Sequence, residues 1–495
     1  MPSSVKSVSV EQYQIPTVSL TSRIGRYLAP VILLGADYVS ITFAIITSWY
    51  LRANLLPRFF ESLDPFHLSN KYLYFIVPIT YIVFLAYEGL YVKRLPFWKS
   101  AELLFKICSY VSALTIVIMY FTEKSNDVSR IFVLLVWSIS FFYLAVSRYF
   151  SKYILTYFGL WKKPVVVIGA GKTAEILATS FASEPYLGYK IVGLIEDNYM
   201  DRPLIQEYPH IGVFANAENV ILKSGVQDVI IAAPGLEREN LLALIYRIQP
   251  HVKNVTIVPD LFGIPLSNIE VETLFNEKTV MLKMRNNLTS LRNRIIKRIF
   301  DVVVGAAILL MSLPIFLAVG LTIRLDSRGP ILHIAKRLGK DGKKFNCYKF
   351  RTMFLNADRI LETYFADNPE AQAEWNKFAK LKNYDPRITR VGVWLRKYSL
   401  DELPQIVNVM LGNMSLVGPR PYLPREKERM GYAAHTIFKT VPGITGLWQV
   451  SGRNSIDFNG RIQLDSWYVR NWSLWHDVVI LLKTLKVVVE GKGAY

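Results

Sequence analysis

Two cysteines, Cys108 and Cys347, are all that 495 residues contain. They lie far apart in unlike surroundings, which excludes a disulfide framework and a thiolate metal site and suits a reducing compartment for the soluble parts. Acids are scarce as well: 39 Asp and Glu stand against 58 Lys and Arg, a formal net charge of +19. Such an excess suits anionic partners: phospholipid head groups, nucleic acid or phosphate-bearing substrates. The N-terminus is polar for about twenty residues and lacks a small-residue cleavage site, so it reads as a tail over 1–25 and not as a signal peptide.

Apolar residues are abundant. At 52% of the chain they exceed what an ordinary soluble protein carries and point to membrane segments. Four apolar runs, 28–51, 72–91, 103–121 and 131–146, each come near the roughly twenty residues that a spanning helix needs. Arg23 and Arg26 precede the first run, Lys93, Arg94 and Lys99 separate the second from the third, and Arg148, Lys152, Lys162 and Lys163 follow the fourth. The positive-inside rule then puts both ends of a four-helix transmembrane bundle, 26–152, in the cytoplasm. Asp37, Glu88 and Lys106 fall in or near these spans. Pairing or snorkelling at helix ends is the commoner fate of such residues.

From Pro164 the pattern changes to strands alternating with helices: VVVIGAGKTAEILATSF, YKIVGLIEDN, NVILKSGVQDVIIAAPG and ENLLALIYRIQPHVKNVTIVPD. This predicts a Rossmann-like parallel α/β domain over 163–260. Gly169-Ala170-Gly171-Lys172-Thr173-Ala174 fits G-x-G-x-x-A, with Glu196 and Asp197 where a ribose-binding acid would stand. The same small residues serve the turn whether or not a ligand binds, so the motif leaves nucleotide binding open.

A connector, 261–292, leads to a fifth apolar run, 300–323, that contains Pro314 and is flanked by Lys297 and Arg298 on one side and Arg324 and Arg328 on the other. Proline near the middle breaks or kinks a helix, and cations at both ends favour two cytoplasmic ends. The expectation is a re-entrant hairpin turning at Ser312-Leu313-Pro314, with the Ser312 hydroxyl serving a freed backbone group. Near the C-terminus, NWSLWHDVVILLKTLKVVVE suits an interfacial helix or a buried one.

Between hairpin and tail lies a dense polar segment with Lys349, Arg351, Arg387, Arg390, Arg396, the pair Asp401-Glu402, Arg420, Arg453, Arg461 and Asp465. Several cations around a few acids suit a substrate with more than one phosphate and a divalent metal: guanidinium forks read phosphate oxygens, and carboxylates hold Mg²⁺. Any one arginine would read as a solvated charge; the set outweighs that reading. Asp401-Glu402 admits two readings. Pro404 fits a helix's first turn, Asp is a favoured N-cap, and Ser399 to Glu402 fits a capping box. An ionised carboxylate can also attack phosphorus directly.

KRIFDVVVGAAILL, YKFRTM, DPRITRVG, SLDELPQIVNVMLGNMSLVGPRP, PGITGLWQVSGRN and NWSLWHDVVILLKT, in this order over 293–495, resemble the bacterial polyprenyl-phosphate sugar-phosphate transferases, in particular the large galactose or glucose phosphotransferases that start an exopolysaccharide, capsule or O-antigen repeat. The bundle and the Rossmann-like domain match the large architecture by layout. The resemblance implies a mainly helical catalytic domain, a helix broken at Ser-Pro (here a leucine intervenes) and a two-step mechanism. Asp401 attacks the β-phosphate of a UDP-hexose and releases UMP, and undecaprenyl phosphate then takes the sugar phosphate. Glu402 would hold Mg²⁺; Lys349, Arg351, Arg396, Arg420 and Arg453 would bind phosphates or position the pair; Asp465 would support the site. It also implies a bacterial inner-membrane protein, cytoplasmic at its N-terminus and catalytic domain, and a bundle with an attached module suits a homodimer. Competing readings are a glycosyltransferase that releases UDP, which the lack of a D-x-D motif disfavours, and a non-catalytic scaffold or sensor, which the intact acids and arginines disfavour. Nucleic acid is not expected as a partner, because basic residues beside membrane segments account for the charge. Galactose and glucose both stay open.

Overall fold

A computed structural model describes residues 16–60, 63, 70–121, 129–198, 200, 202–260, 269–273, 280–284, 287–372, 381, 384–452 and 456–490. The chain divides into two compact units, Met1–Leu261 and Phe262–Tyr495.

In the first unit the helices Leu20–Tyr50, Val77–Tyr87, Phe97–Phe121 and Arg130–Tyr157 pack together. In Leu20–Tyr50 the buried positions recur every three or four residues, among them Ala29, Leu33, Asp37, Ile41, Ala44 and Ser48. That stripe faces Tyr81, Leu85, Leu104, Ile107 and Leu144, while Val39 and Phe43 on the other face are more than half exposed. Large apolar side chains left bare around a packed stripe suit a lipid surround. Three of these helices are long and apolar enough to cross a membrane, as is Leu291–Asp326 in the second unit. The run at 72–91, expected as a full span, gives a shorter apolar helix, Leu73–Tyr87, among the described residues. Asp37 is paired: Arg148 donates two bonds to it, at 3.0 and 2.6 Å, and a third to the Leu90 carbonyl. Lys106 bonds Glu102 one turn away.

The bundle runs on into a parallel sheet of order β3-β2-β1-β4-β5, with β1 at Lys163–Ile168, β2 at Tyr189–Ile195, β3 at His210–Gly212, β4 at Asp228–Ile231 and β5 at Asn254–Ile257. The central strands β1, β2 and β4 are covered on both faces, so they read as unbroken runs such as Val165 to Ile168, all fully buried, while the edge strand β5 is largely exposed. Gly169 has φ +103, and a Cβ there would stand 2.6 Å from the Ala232 carbonyl oxygen, so packing alone requires glycine at this turn. Glu196 is turned onto the same loop, accepting from the Ala170 and Asp197 N–H groups at 2.7 and 3.1 Å.

In the second unit the stretch expected as a plain connector contains an antiparallel pair, β6 (Ile269–Thr273) with β7 (Val280–Met284). The helix Leu291–Asp326 then runs without interruption through Ser312-Leu313-Pro314, so the expected turn is replaced by a helix with proline inside it. The Ser312 hydroxyl donates to the Leu309 carbonyl at 3.0 Å, next to the Leu310 carbonyl that Pro314 leaves without its helical donor. An antiparallel ribbon follows, β8 (Leu332–Leu338) with β9 (Lys344–Phe350), then a set of short helices, a parallel pair β10 (Ser415–Val417) with β11 (Gly443–Thr445), and two closing helices, Phe458–Arg470 and Leu474–Glu490. Ile406, Val409, Met414, Leu416, Tyr468 and Ile480 form the core between them. Leu474–Glu490 turns Asp477, Val479 and Ile480 into that core and leaves Leu482, Leu485 and Val489 exposed.

Candidate active site

Helix Arg390–Lys397 ends at Tyr398, and Ser399 takes a left-handed conformation at φ +55. A single 3₁₀ turn, Leu400–Glu402, carries the two acids, and the next helix, Gln405–Leu411, begins only after Pro404. The cap reading is thereby corrected. Ser399 makes no side-chain cap, and Asp401 precedes the helix by a full turn. A non-glycine residue in the left-handed region stores strain of about 1 kcal/mol, of the kind found where a loop must aim a functional side chain. Leu400 and Leu403 anchor the turn against Val319, Ile323, Phe350 and Leu395.

Alternation along the ribbon sets what meets the acids. Tyr348 and Phe350 point to one face of β9 and Lys349 to the other. There the Lys349 ammonium lies 2.6 Å from Glu402 Oε1 and 3.9 Å from Asp401 Oδ2. Arg396 is held by a bond from Nε to Thr352 Oγ1 at 3.0 Å, near enough to Asp401 for its charge to be felt. Burial raises the Asp401 carboxyl, Lys349 lowers it in part and Glu402 raises it again, leaving it pushed up to about 6. For Lys349, burial pulls down and the Glu402 and Asp401 carboxylates more than offset it, so its pKa stands above the ordinary lysine value. The site therefore holds a fixed cation between two acids, of which Asp401 ionises late.

A second cluster adjoins it. The Arg420 N–H and the Tyr422 hydroxyl both donate to Asp465 Oδ2, at 3.1 and 2.8 Å. Asp465 is fully buried, burial pushes it up to about 7, and its Oδ1 has no partner. It holds the backbone of the Gly418-Pro419-Arg420-Pro421 turn through the Arg420 N–H. The Arg420 and Arg461 guanidinium groups lie 5.4 and 4.9 Å from the Trp448 ring centroid. Arg337, which sequence reading missed, joins the clusters: its charge is coupled to Arg420 and to Glu402. The two-residue spacing of His333, Ala335 and Arg337 along β8, with His333 opposite Lys349, is the signal that would have found it.

The structure thus brings Lys349, Arg396 and Glu402 around Asp401, and Arg337 links them to the cluster of Arg420 and Asp465. It does not bring Arg351 to the pair. That guanidinium donates to the Ser327 and Arg328 carbonyls and to the Ser327 hydroxyl at 2.6–2.9 Å, closing the end of the long helix. Arg453 lies outside the described residues. Among the described residues no group of three or more His, Cys, Asp or Glu forms a metal cage. Two adjacent carboxylates fit instead a hydrated Mg²⁺ that takes its other ligands from phosphate oxygens and water.

Comparison with known proteins bears on both units. The profile of the bacterial sugar transferases matches residues 292–491, and that of a CoA-binding domain matches residues 90–259. The undecaprenyl-phosphate galactose phosphotransferase of Salmonella typhimurium is 36% identical over 408 residues, 82% of this chain and 84% of that protein. The UDP-glucose:undecaprenyl-phosphate glucose-1-phosphate transferase of Escherichia coli is 31% identical over 347 residues, 68% of this chain and 70% of that protein. The exopolysaccharide production protein ExoY of Rhizobium meliloti is 45% identical over 199 residues, which is 40% of this chain but 88% of that protein.

Proposed function

The chain belongs to the bacterial sugar transferases, among the polyprenyl-phosphate hexose-1-phosphate transferases, and we propose that it moves galactose 1-phosphate from UDP-galactose to undecaprenyl phosphate with release of UMP. The observation that carries this reading is the half-buried Asp401 held 3.9 Å from the Lys349 ammonium. A carboxylate oxygen of Asp401 attacks the β-phosphorus, and the bond from that phosphorus to the bridging oxygen breaks. UMP leaves with that oxygen and its electron pair, and an aspartyl sugar phosphate remains. An oxygen of the lipid phosphate then attacks the same phosphorus and expels the Asp401 carboxylate, giving undecaprenyl-diphosphate-galactose. Lys349, Arg396 and Arg420 offset the charge of the phosphates. Mg²⁺ held by Glu402 would supply further charge neutralisation at the diphosphate.

Galactose is preferred to glucose because the galactose-named relative is the more similar and the more fully covered of the two. The deciding experiment gives the detergent-solubilised protein Mg²⁺ and undecaprenyl phosphate with UDP-galactose or UDP-glucose and identifies the nucleotide. UMP, formed faster from UDP-galactose, is expected; UDP would mean plain glycosyl transfer and would remove the role given to Asp401.

Asp401 must be ionised to attack, so kcat/KM should rise with pH through about 6 and level off above it. A profile flat down to pH 5 would put the nucleophile elsewhere.

We infer that the long helix bends at Pro314 and stays within one leaflet instead of crossing, with the catalytic unit at the cytoplasmic face of the inner membrane. Both of its ends are tied to the same unit: Lys297 and Arg298 bond Asp477 and the Val409 carbonyl, and Asp326 accepts from the Val391 N–H. The stretch between them is bare, with Leu310 and Met311 among the exposed residues. Cysteines placed at Ser290 and Ser327 should both be labelled from the cytoplasmic side of sealed vesicles. Labelling from opposite sides would make the helix a full span.

A further inference from the structure

On the face of the β8–β9 ribbon away from Lys349 lies an open groove of about 630 Å³, within the range of about 300–1,000 Å³ usual for small-molecule sites. Leu317, Gly320 and Leu321 of the long helix form one wall, and Tyr348, Pro404 and Val407 stand opposite. One lining residue is charged, Arg324, which gives one bond to the Gly329 carbonyl. Leu317 and Leu321 are 77% and 62% exposed, so the groove is not a core that the unit closes over by itself.

Resting on the two-step reading above, we propose that this groove holds the first isoprene units of the acceptor lipid and sets the preference for an isoprenyl phosphate over a phosphate without the chain. The UDP-sugar is a poor occupant, since sugar and uracil would lose hydrogen bonds against a wall with almost no polar surface. An isoprenyl phosphate matches the groove at both ends of its chemistry, with apolar walls for the chain and a guanidinium for the phosphate. The groove also leads to the reaction. Phe350 lines it, its neighbour Lys349 faces the acids across the ribbon, and Thr352 just beyond holds Arg396. Pro404 follows Glu402 by two positions on the opposite wall. A chain lying between Leu321 and Val407 therefore delivers its phosphate round the end of the ribbon, past Arg324, to the side where Asp401 carries the sugar phosphate. The donor and the acceptor chain then occupy separate faces of one ribbon, and the two half-reactions need not compete for space.

Gly320 offers the test. A Cβ there would be 3.6 Å from Ile331 Cδ1, an ordinary contact, so a larger side chain projects into the groove without displacing backbone. Gly320→Leu should raise the KM for undecaprenyl phosphate by at least about tenfold and shrink the preference for undecaprenyl over methyl phosphate, which has no chain to place in the groove, by a similar factor. The UMP burst formed from UDP-galactose without lipid should survive. An unchanged KM, or an equal rise for both acceptors, would overturn the proposal and leave the groove to bilayer lipid or a second copy of the chain. Should the leucine abolish the burst, the unsubstituted enzyme decides. An isoprenyl phosphate with a diazirine on its first units should crosslink within 317–324 or 404–407, and crosslinks found only elsewhere would sink the idea. A missing burst in the unsubstituted enzyme would instead defeat the two-step reading, while the crosslink and the acceptor comparison could still stand.

Discussion

Asp401→Asn should release no UMP above background, a fall of at least about 10⁴-fold in turnover, while the protein remains as stable as before or becomes more so. The carboxamide has nearly the shape of the carboxylate but no oxygen basic enough to attack phosphorus. The stability half of the expectation comes from the same burial that shapes the site. The folded pKa of about 6 lies above the unfolded value of about 3.9. Such a group weakens the fold as pH rises from the unfolded value through the folded one, so at pH 7 the ionised Asp401 is held at a cost. A neutral side chain relieves that cost and the repulsion from Glu402, while Lys349 keeps its 2.6 Å contact with Glu402. Intact mass after incubation with UDP-galactose should reveal a sugar phosphate on the unsubstituted protein and none on Asp401→Asn. A variant that still releases UMP at a tenth of the normal rate would end the covalent reading, and one that fails to fold would mean that the carboxylate braces the turn.

Local signals of the sequence carried further than contacts between distant segments. The alternation of strands and helices from Pro164 read correctly as a parallel sheet because the central strands are buried apolar runs bounded by their own turns; the edge strand His210–Gly212, three residues long, had no such run and was missed. The acids were legible as a pair, but their local structure was not. A serine three residues before a glutamate looks like a capping box, and only the tertiary setting, with Leu400 and Leu403 drawn into the core, forces the left-handed Ser399 and delays the helix. Arg351 and Arg337 show what register decides. Both are arginines on or next to the same ribbon, but Arg351 closes the long helix while Arg337 sits beside Arg420 and Glu402. Counting charges cannot separate them; knowing which residue of β8 faces which of β9 can.

The largest stability effect is expected outside the acid pair, at Asp477→Ala. Asp477 is fully buried and accepts three bonds, from the Lys297 ammonium at 2.8 Å, the Tyr468 hydroxyl at 2.7 Å and the Trp472 indole N–H at 3.0 Å. Lys297, 180 residues earlier, is itself 5% exposed and also donates to the Val417 carbonyl. Alanine would leave a buried ammonium without its counter-charge and an indole N–H without an acceptor. Breaking one side of such a pair costs about 3–5 kcal/mol, a large share of the roughly 5–15 kcal/mol that holds a typical domain together. Thermal unfolding in detergent should therefore shift strongly downward. Lys297→Met with Asp477→Leu should recover most of the loss, because neither charge then remains to be solvated. A loss under about 1 kcal/mol for Asp477→Ala would mean that water reaches the site and that the pair is no tether. The same bond explains why an apolar helix near residue 300 and the stretch NWSLWHDVV near the C-terminus belong to one unit. The first brings a cation and the second an anion to the end of β10, three residues before Arg420, so the long apolar helix is fastened to the strand that leads to Arg420.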